Sequence, residues 1–345
     1  YKIFYPENNG REGLFINIQA FFLWLVGKNE PWVLRLPSAI FGILTVLGVF
    51  FLAKELFREN SKKIALLATF LIATSYWHIN FSRIGFRAIM APLLLTWGIY
   101  LLLKSFNIKK TASAPDWILA ILAGLVYGLG FHTYIAYRAT PLILLPIFWY
   151  FRNIPNFKKI TAIFLLSTFI AFLPLGLYFL KNPQDFFGRT TQISIFNSET
   201  PVKNLALNTI KTMGSLNVSG DYNPRHNIPG KPLLAWPVGI FFLTGLIISL
   251  KKSLRASNIE HQILLAWLLV ATLPVVISNE GLPHALRMIL MIPPIIILSA
   301  FGGAKIYQKI KSYPSNYILL DLFKILFLLL LIFFVYKNYF IIWRN

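Results

Sequence analysis

The 345-residue chain contains no cysteine. That absence excludes disulfides, thiolate zinc sites and cysteine nucleophiles together, so any chemistry must come from carboxylates, histidines, arginines or hydroxyls. Charge is scarce as well: 13% of residues are Asp, Glu, Lys or Arg, against 57% apolar and 16% aromatic, with a mean hydropathy of +0.64. A water-soluble globule cannot bury that much apolar surface. A bilayer-spanning helix needs about 20 mostly apolar residues, so the composition describes an all-α, polytopic membrane protein. Acids are the rarest charges, 12 Asp and Glu beside 33 Lys and Arg, giving a net charge of +21. In a soluble protein that excess would suggest nucleic acid. In a membrane protein it reads as topology and attraction to anionic membrane lipids, and no nucleic-acid partner is expected.

About ten apolar stretches bounded by charge are candidate spans: 35–57, 64–82, 88–104, 117–136, 139–151, 160–180, 233–250, 262–278, 287–304 and 318–336. The fifth is short and holds Pro141 and Pro146, with Arg138 and Arg152 as snorkelling ends. Leu14 to Val26 is too short to span comfortably, carries Asn17 and Gln19 and is rich in Phe and Trp. It predicts a helix lying along the interface. The chain opens at Tyr1 without Met or a signal-like region and is polar to Gly13, which predicts that it belongs to a longer protein. Residues 1–345 read as one transmembrane domain, with 1–31 and 181–232 as its larger extracytoplasmic segments.

Alternating these spans sorts the charges. The short loops 54–63, 104–116, 152–159, 251–261 and 305–316 hold 16 basic residues, 13 of them Lys, and should be cytoplasmic. The short turns on the opposite side hold four, Arg83, Arg87, Arg138 and Arg287. Lys is a generic point charge, whereas Arg offers a planar fork suited to phosphate or carboxylate. Lys therefore sets orientation and Arg recognition. Away from their ends the spans are nearly free of ionisable residues, unlike transporters, which place charge near the midplane. Chemistry at an interface is expected.

Each outer turn joins Arg to His or Tyr: His78 with Arg83 and Arg87, His132 with Tyr134 and Arg138, and His284 with Arg287. A single such turn is explained by an aromatic belt with a snorkelling Arg. Three on one side, with Glu280 as the one acid within them, point to an anion such as a lipid phosphate or diphosphate. Residues Gly220 to Pro232 mix Asp221, Arg225, His226 and Lys231 with rigid prolines, which predicts an ordered lid rather than a linker. Asp221 and His226 show no metal-ligand spacing, and no metal is assigned. Near the start, Glu7 and Glu12 lie beside Asn, Arg and Gly just ahead of the interfacial helix, which makes them candidate catalytic or acceptor-binding acids. There is no Ser-His-Asp order, no phosphate-binding Gly loop and no H-E-x-x-H.

Six stretches in order carry a resemblance: Tyr5 to Leu14, Arg35-Leu36-Pro37-Ser38-Ala39, His78 to Arg87, Tyr134-Ile135-Ala136-Tyr137-Arg138, Gly220 to Leu234 and Pro283 to Pro294. Together they resemble the GT-C glycosyltransferases of family 39, the group of dolichyl-phosphate-mannose protein mannosyltransferases and aminoarabinose lipid A transferases, in a prokaryotic branch. The resemblance implies a GT-C fold, a polyprenyl-phosphate sugar as donor, inversion at the sugar carbon, and an acceptor that is protein, lipid or glycan, at the outer face of a prokaryotic plasma membrane. It implies phosphate contact by Arg83, Arg138 and Arg287, with Arg87, His132 and His284 as further candidates. His78, Tyr134, Asp221, Arg225 and His226 are substrate or loop candidates. The family's acidic motif at the end of its first spanning helix has no counterpart here, and Arg87-Ala88-Ile89-Met90 stands where some members have a second Asp. The main acid is accordingly expected upstream of Tyr1, with Glu12 or Glu7 assisting. No cofactor is indicated, because Arg can supply the positive charge that a divalent cation supplies elsewhere. A transporter or flippase of a lipid-linked sugar is the competing reading.

Overall fold

The computed structural model describes residues 2–7, 10–57, 61–106, 116–192, 194–255, 257–279, 281–312 and 317–343. Near the start, strands β1 (Phe4–Tyr5) and β2 (Arg11–Glu12) pair antiparallel, Phe4 opposite Glu12, around Gly10 at φ +75°. A side chain at Gly10 would collide with the Phe4 ring. The hairpin leads into α1 (Leu14–Val26), the predicted interfacial helix, which ends on Gly27 in the left-handed conformation with its N–H bonded to the Leu23 carbonyl. Phe21, Trp24 and Leu25 on it are exposed, as expected of a face laid against lipid.

The chain continues through α2 (Pro31–Leu56), α3 (Ser61–Ala73), α4 (Tyr76–Arg83), α5 (Met90–Ser105), α6 (Asp116–Leu129), α7 (Pro141–Phe151) and α8 (Phe157–Lys181). Residues 181–232, expected as an extracytoplasmic segment, hold α9 (Pro183–Gln192), α10 (Pro201–Asn217) and a compact turn region. The rest is α11 (Trp236–Ser253), α12 (Ile259–Val276), α13 (Ile292–Lys311) and α14 (Tyr317–Tyr336), continued by a π-helical stretch Lys337–Ile342.

The architecture is all-α, but about ten spans are not confirmed. Among the described residues six helical segments are long and apolar enough to cross a membrane, and seven if α3 and α4, bent by 58° at their junction, count as one. The expected spans at 117–136 and 139–151 are the shorter apolar helices Asp116–His132 and Ile135–Phe151. The span expected at 233–250 is α11, whose 18 residues end in Lys251-Lys252-Ser253. Helix α13 is the axis of the bundle, buried along Ile292 to Gly303, whereas α8 and α14 turn most of their apolar surface outward. Small residues permit the tightest crossings. A Cβ at Gly245 would lie 2.0 Å from the Leu298 carbonyl, and one at Gly302 2.0 Å from that of Phe241, so α11 and α13 meet backbone to backbone.

Candidate functional site

The ends of several elements meet around one cavity of about 1100 Å³. At the α3–α4 break, the Ser75 hydroxyl accepts a bond from the His78 N–H at 3.4 Å, capping α4 and turning it across the bundle. Helix α4 ends at Arg83, and Gly85 at φ +74° reverses the chain so that Arg87 follows close by. Both arginines line the cavity, as do Arg138, Arg225, Arg287 and His284. The hairpin delivers Glu12, and Tyr134 completes the set of sequence candidates at this wall.

The acid content differs from the sequence expectation of uncompensated arginines. Glu12 is 2% exposed, with Oε2 3.3 Å from Arg87 Nη2 and Oε1 3.9 Å from Arg138 Nη2. Arg87 also donates from Nε to the Thr133 carbonyl at 3.1 Å. Arg138 donates to the Phe186 carbonyl at 2.8 Å and lies over the Phe186 and Phe179 rings. These fixed guanidinium planes hold the carboxylate in place. Glu280 lies outside the described residues.

The other arginines are held differently. Arg83 stacks on Tyr339 and Phe340, 5.4 and 5.1 Å from their centroids, so the segment after α14 forms part of the wall. Arg225 lies over Phe86 at 5.6 Å, and its carbonyl accepts from Asn80 Nδ2 at 3.0 Å. Arg287 bonds the Ser278 hydroxyl. Stacking leaves guanidinium edges available for hydrogen bonding while fixing the plane.

Five candidates do not reach the cavity lining, and three of them, His78, His132 and Glu7, face other partners. His78 is buried and its Nε2 lies 3.2 Å from the Gly42 carbonyl, tying α4 to α2. His132 is turned inward, Nε2 2.9 Å from the Ala171 carbonyl. Glu7 is exposed, 3.5 Å from Lys2, and its carboxyl is held below the ordinary value by a hydrogen bond from its own backbone, with Lys2 adding to this. Each ring or carboxylate has a partner other than the cavity arginines.

Asp221 and His226 sit immediately behind the lining. The turn region is closed by the Gly220 N–H to Gly230 carbonyl and Gly230 N–H to Asp221 carbonyl bonds at 3.2 and 3.1 Å. Asp221 accepts from Asn223 N–H at 2.8 Å, from Ala285 N–H at 2.9 Å and from His226 Nδ1 at 3.2 Å. Burial raises its carboxyl, but these bonds outweigh burial and the net direction is downward. The His226 ring lies 4.8 Å from that of His284 at 28°. Burial first, then the charges of Arg287 and His226, push His284 down to about 3. This imidazole therefore stays neutral at physiological pH.

Sequence reasoning passed over Arg11, Arg35, Asp185, Tyr339 and Trp343, all of which line the cavity. Arg35 lay within a resemblance motif. Asp185, fixed by the Tyr178 hydroxyl at 2.7 Å, had no signal in the sequence beyond the scarcity of acids, because only the fold brings α9 to the hairpin.

Residues 14–178 match the family model of dolichyl-phosphate-mannose-protein mannosyltransferases. The comparison with curated proteins gives no match. Among solved structures, the oligosaccharyltransferase AglB of Archaeoglobus fulgidus, in complex with an inhibitory peptide and a dolichol-phosphate, aligns with a TM-score of 0.61 at 16% identity, covering 94% of this chain and 46% of that one. ArnT from Cupriavidus metallidurans, bound to undecaprenyl phosphate, aligns with a TM-score of 0.56 at 15% identity, covering 84% and 49%. The chain thus spans less than half the length of these structures. At such identities they establish the fold, and the family model adds its match over the first half. The chain is an integral membrane protein that shares the fold of these structures, and its residues 14–178 are similar to the dolichyl-phosphate-mannose-protein mannosyltransferase family.

Proposed function

We propose that the chain is a glycosyltransferase that moves a sugar from a polyprenyl-phosphate donor to a protein, lipid or glycan acceptor, with inversion, on the extracytoplasmic face of a prokaryotic plasma membrane. The observation that carries this reading is one cavity lined by Arg83, Arg138, Arg225 and Arg287 together with the carboxylates of Glu12 and Asp185. The polyprenyl phosphates held by AglB and ArnT support a lipid phosphate as its occupant. The volume exceeds that of a site for one small ligand and has room for a sugar phosphate beside an acceptor.

Chemistry follows from the charges. The acceptor loses its proton to a carboxylate, its freed electron pair attacks the anomeric carbon, and the carbon–oxygen bond to phosphate breaks with its electrons passing to phosphate. The arginines stabilise the negative charge that develops on the leaving phosphate. Glu12 is held by two of these arginines, and a phosphate that recruits Arg87 or Arg138 frees it to accept the proton. Asp185 is the other described carboxylate of the lining.

The test is donor binding and transfer by the full chain in native membranes, using a radiolabelled polyprenyl-phosphate sugar. Binding that survives in Glu12→Gln and Asp185→Asn while transfer is lost in one of them supports the reading and names the base. Absence of donor binding, or binding unchanged by substitution of the lining arginines, overturns it.

A further inference from the structure

Asp221, His226 and His284 bring one ligand-capable atom each to within 4.8 Å of the others. We propose that these three residues form a binding site for a divalent transition-metal ion of the zinc class at the edge of the cavity. The ligands come from two separate loops, which is why no spacing in the sequence announces them.

Geometry supports a common ion. Two ligands about 2.1 Å from a tetrahedral zinc stand roughly 3.4 Å apart, and His226 Nδ1 lies 3.2 Å from Asp221 Oδ2. His284 Nδ1 is buried and has no hydrogen-bond partner, an orphaned donor atom beside a carboxylate. Asp221 and His226 are themselves buried, 4% and 7% exposed. The carboxylate is pre-oriented by the Asn223 and Ala285 N–H groups, and the Ala285 peptide is anchored in turn by Trp77 Nε1 at 3.1 Å from its carbonyl. Such outer partners fix ligand direction in established metal sites.

The donor set selects the ion. Two imidazole nitrogens and one carboxylate suit zinc or cobalt, whereas calcium and magnesium favour oxygen ligands. Ligation requires neutral imidazole. For His226 to bind through Nδ1, its proton must reside on Nε2. Three protein ligands leave a fourth position open. Because His284 lines the cavity beside Arg287, that position can receive an anion from the cavity side. A dication offset by Asp221 and added to Arg287 gives two net positive charges, a match for a phosphate dianion. Recognition of that anion rests on the glycosyl-transfer reading; the metal site does not.

The test uses the full chain in detergent, stripped with chelator and titrated with Co²⁺ alone. One equivalent should bind, with the intense visible absorption of four-coordinate cobalt, and Zn²⁺ should bleach it. His226→Ala and His284→Ala should each weaken Co²⁺ by more than the roughly 10–100-fold typical of outer-shell substitutions. Wild-type protein that takes up Co²⁺ without the four-coordinate spectrum overturns the site and needs no variant to be folded. Unchanged affinity in the folded double variant overturns it as well. No donor is present, so failure here leaves the transferase reading standing, and failed sugar transfer leaves the metal site standing.

Discussion

Glu12 and Arg87, which are brought together by a hairpin and a glycine-reversed turn, face each other at 3.3 Å with the carboxylate almost wholly removed from water. Arg138 approaches the other carboxylate oxygen. The cavity therefore holds a paired carboxylate among an excess of arginines rather than being a bare cationic patch. Breaking one side of a buried pair leaves the other uncompensated, at a typical cost of about 3 kcal/mol. Glu12→Gln should lower stability by that order, read as a reduced thermal midpoint in detergent. Unchanged stability would show that the two arginines do not depend on this carboxylate.

Phosphate recognition by planar forks predicts a strong penalty for a conservative change. Arg83→Lys, Arg138→Lys and Arg287→Lys keep the charge but lose bidentate geometry, and at Arg83 the stack on Tyr339 and Phe340 as well. Each should weaken binding of a polyprenyl phosphate by about 1.5–3 kcal/mol, the value of a charge-assisted contact. Equal affinity in the triple Lys variant, measured by titration, would remove phosphate recognition from these residues.

Orientation in the membrane is tested by chemistry on introduced thiols, made simple by the absence of native cysteine. With the 251–261 loop cytoplasmic and the segment holding α9 and α10 outside, Ser198→Cys should react with an impermeant maleimide in intact cells, and Ser61→Cys should not. The opposite pattern would move the cavity to the cytoplasmic face.

Acid should destabilise the connection between α12 and α13 through His284. Its folded value of about 3 lies below the ordinary 6.5, so between these the unfolded chain binds a proton that the folded chain excludes. Stability is full above about 6.5 and declines as pH falls toward 3. Asp221 adds a loss only at lower pH, below its ordinary 3.8. Thermal midpoints measured from about pH 7 down to about pH 5 should fall in wild type and fall less in His284→Gln. Parallel slopes would exclude His284 as the source.

The apolar runs made the helices legible, because period and length are local properties. Leu14–Val26 was read with its observed bounds for that reason. The number of full spans was less legible, since the break at Ser75 and the short α6 and α7 depend on packing that hydropathy does not register. Arg83, Arg138 and Arg287 could be singled out by contrast with lysine-rich loops. Nothing local revealed that His78 and His132 would turn toward the Gly42 and Ala171 carbonyls, because both sit in turns of the same composition as the others. Glu12 stood out as a candidate, but its arginine partners did not, since a two-residue strand pair is too short to leave an alternation pattern.

The stack of Arg83 on Tyr339 and Phe340, reinforced by the Tyr339 hydroxyl donating to Asn80 at 3.5 Å across 259 positions of sequence, ties an early turn to the segment that follows the last helix. During synthesis the early helices must enter the bilayer well before their partner has been translated. Until then the cavity has a missing wall and Arg83 lacks its aromatic platform. The cavity thus gains its last wall only after insertion of α14, once the bundle is assembled.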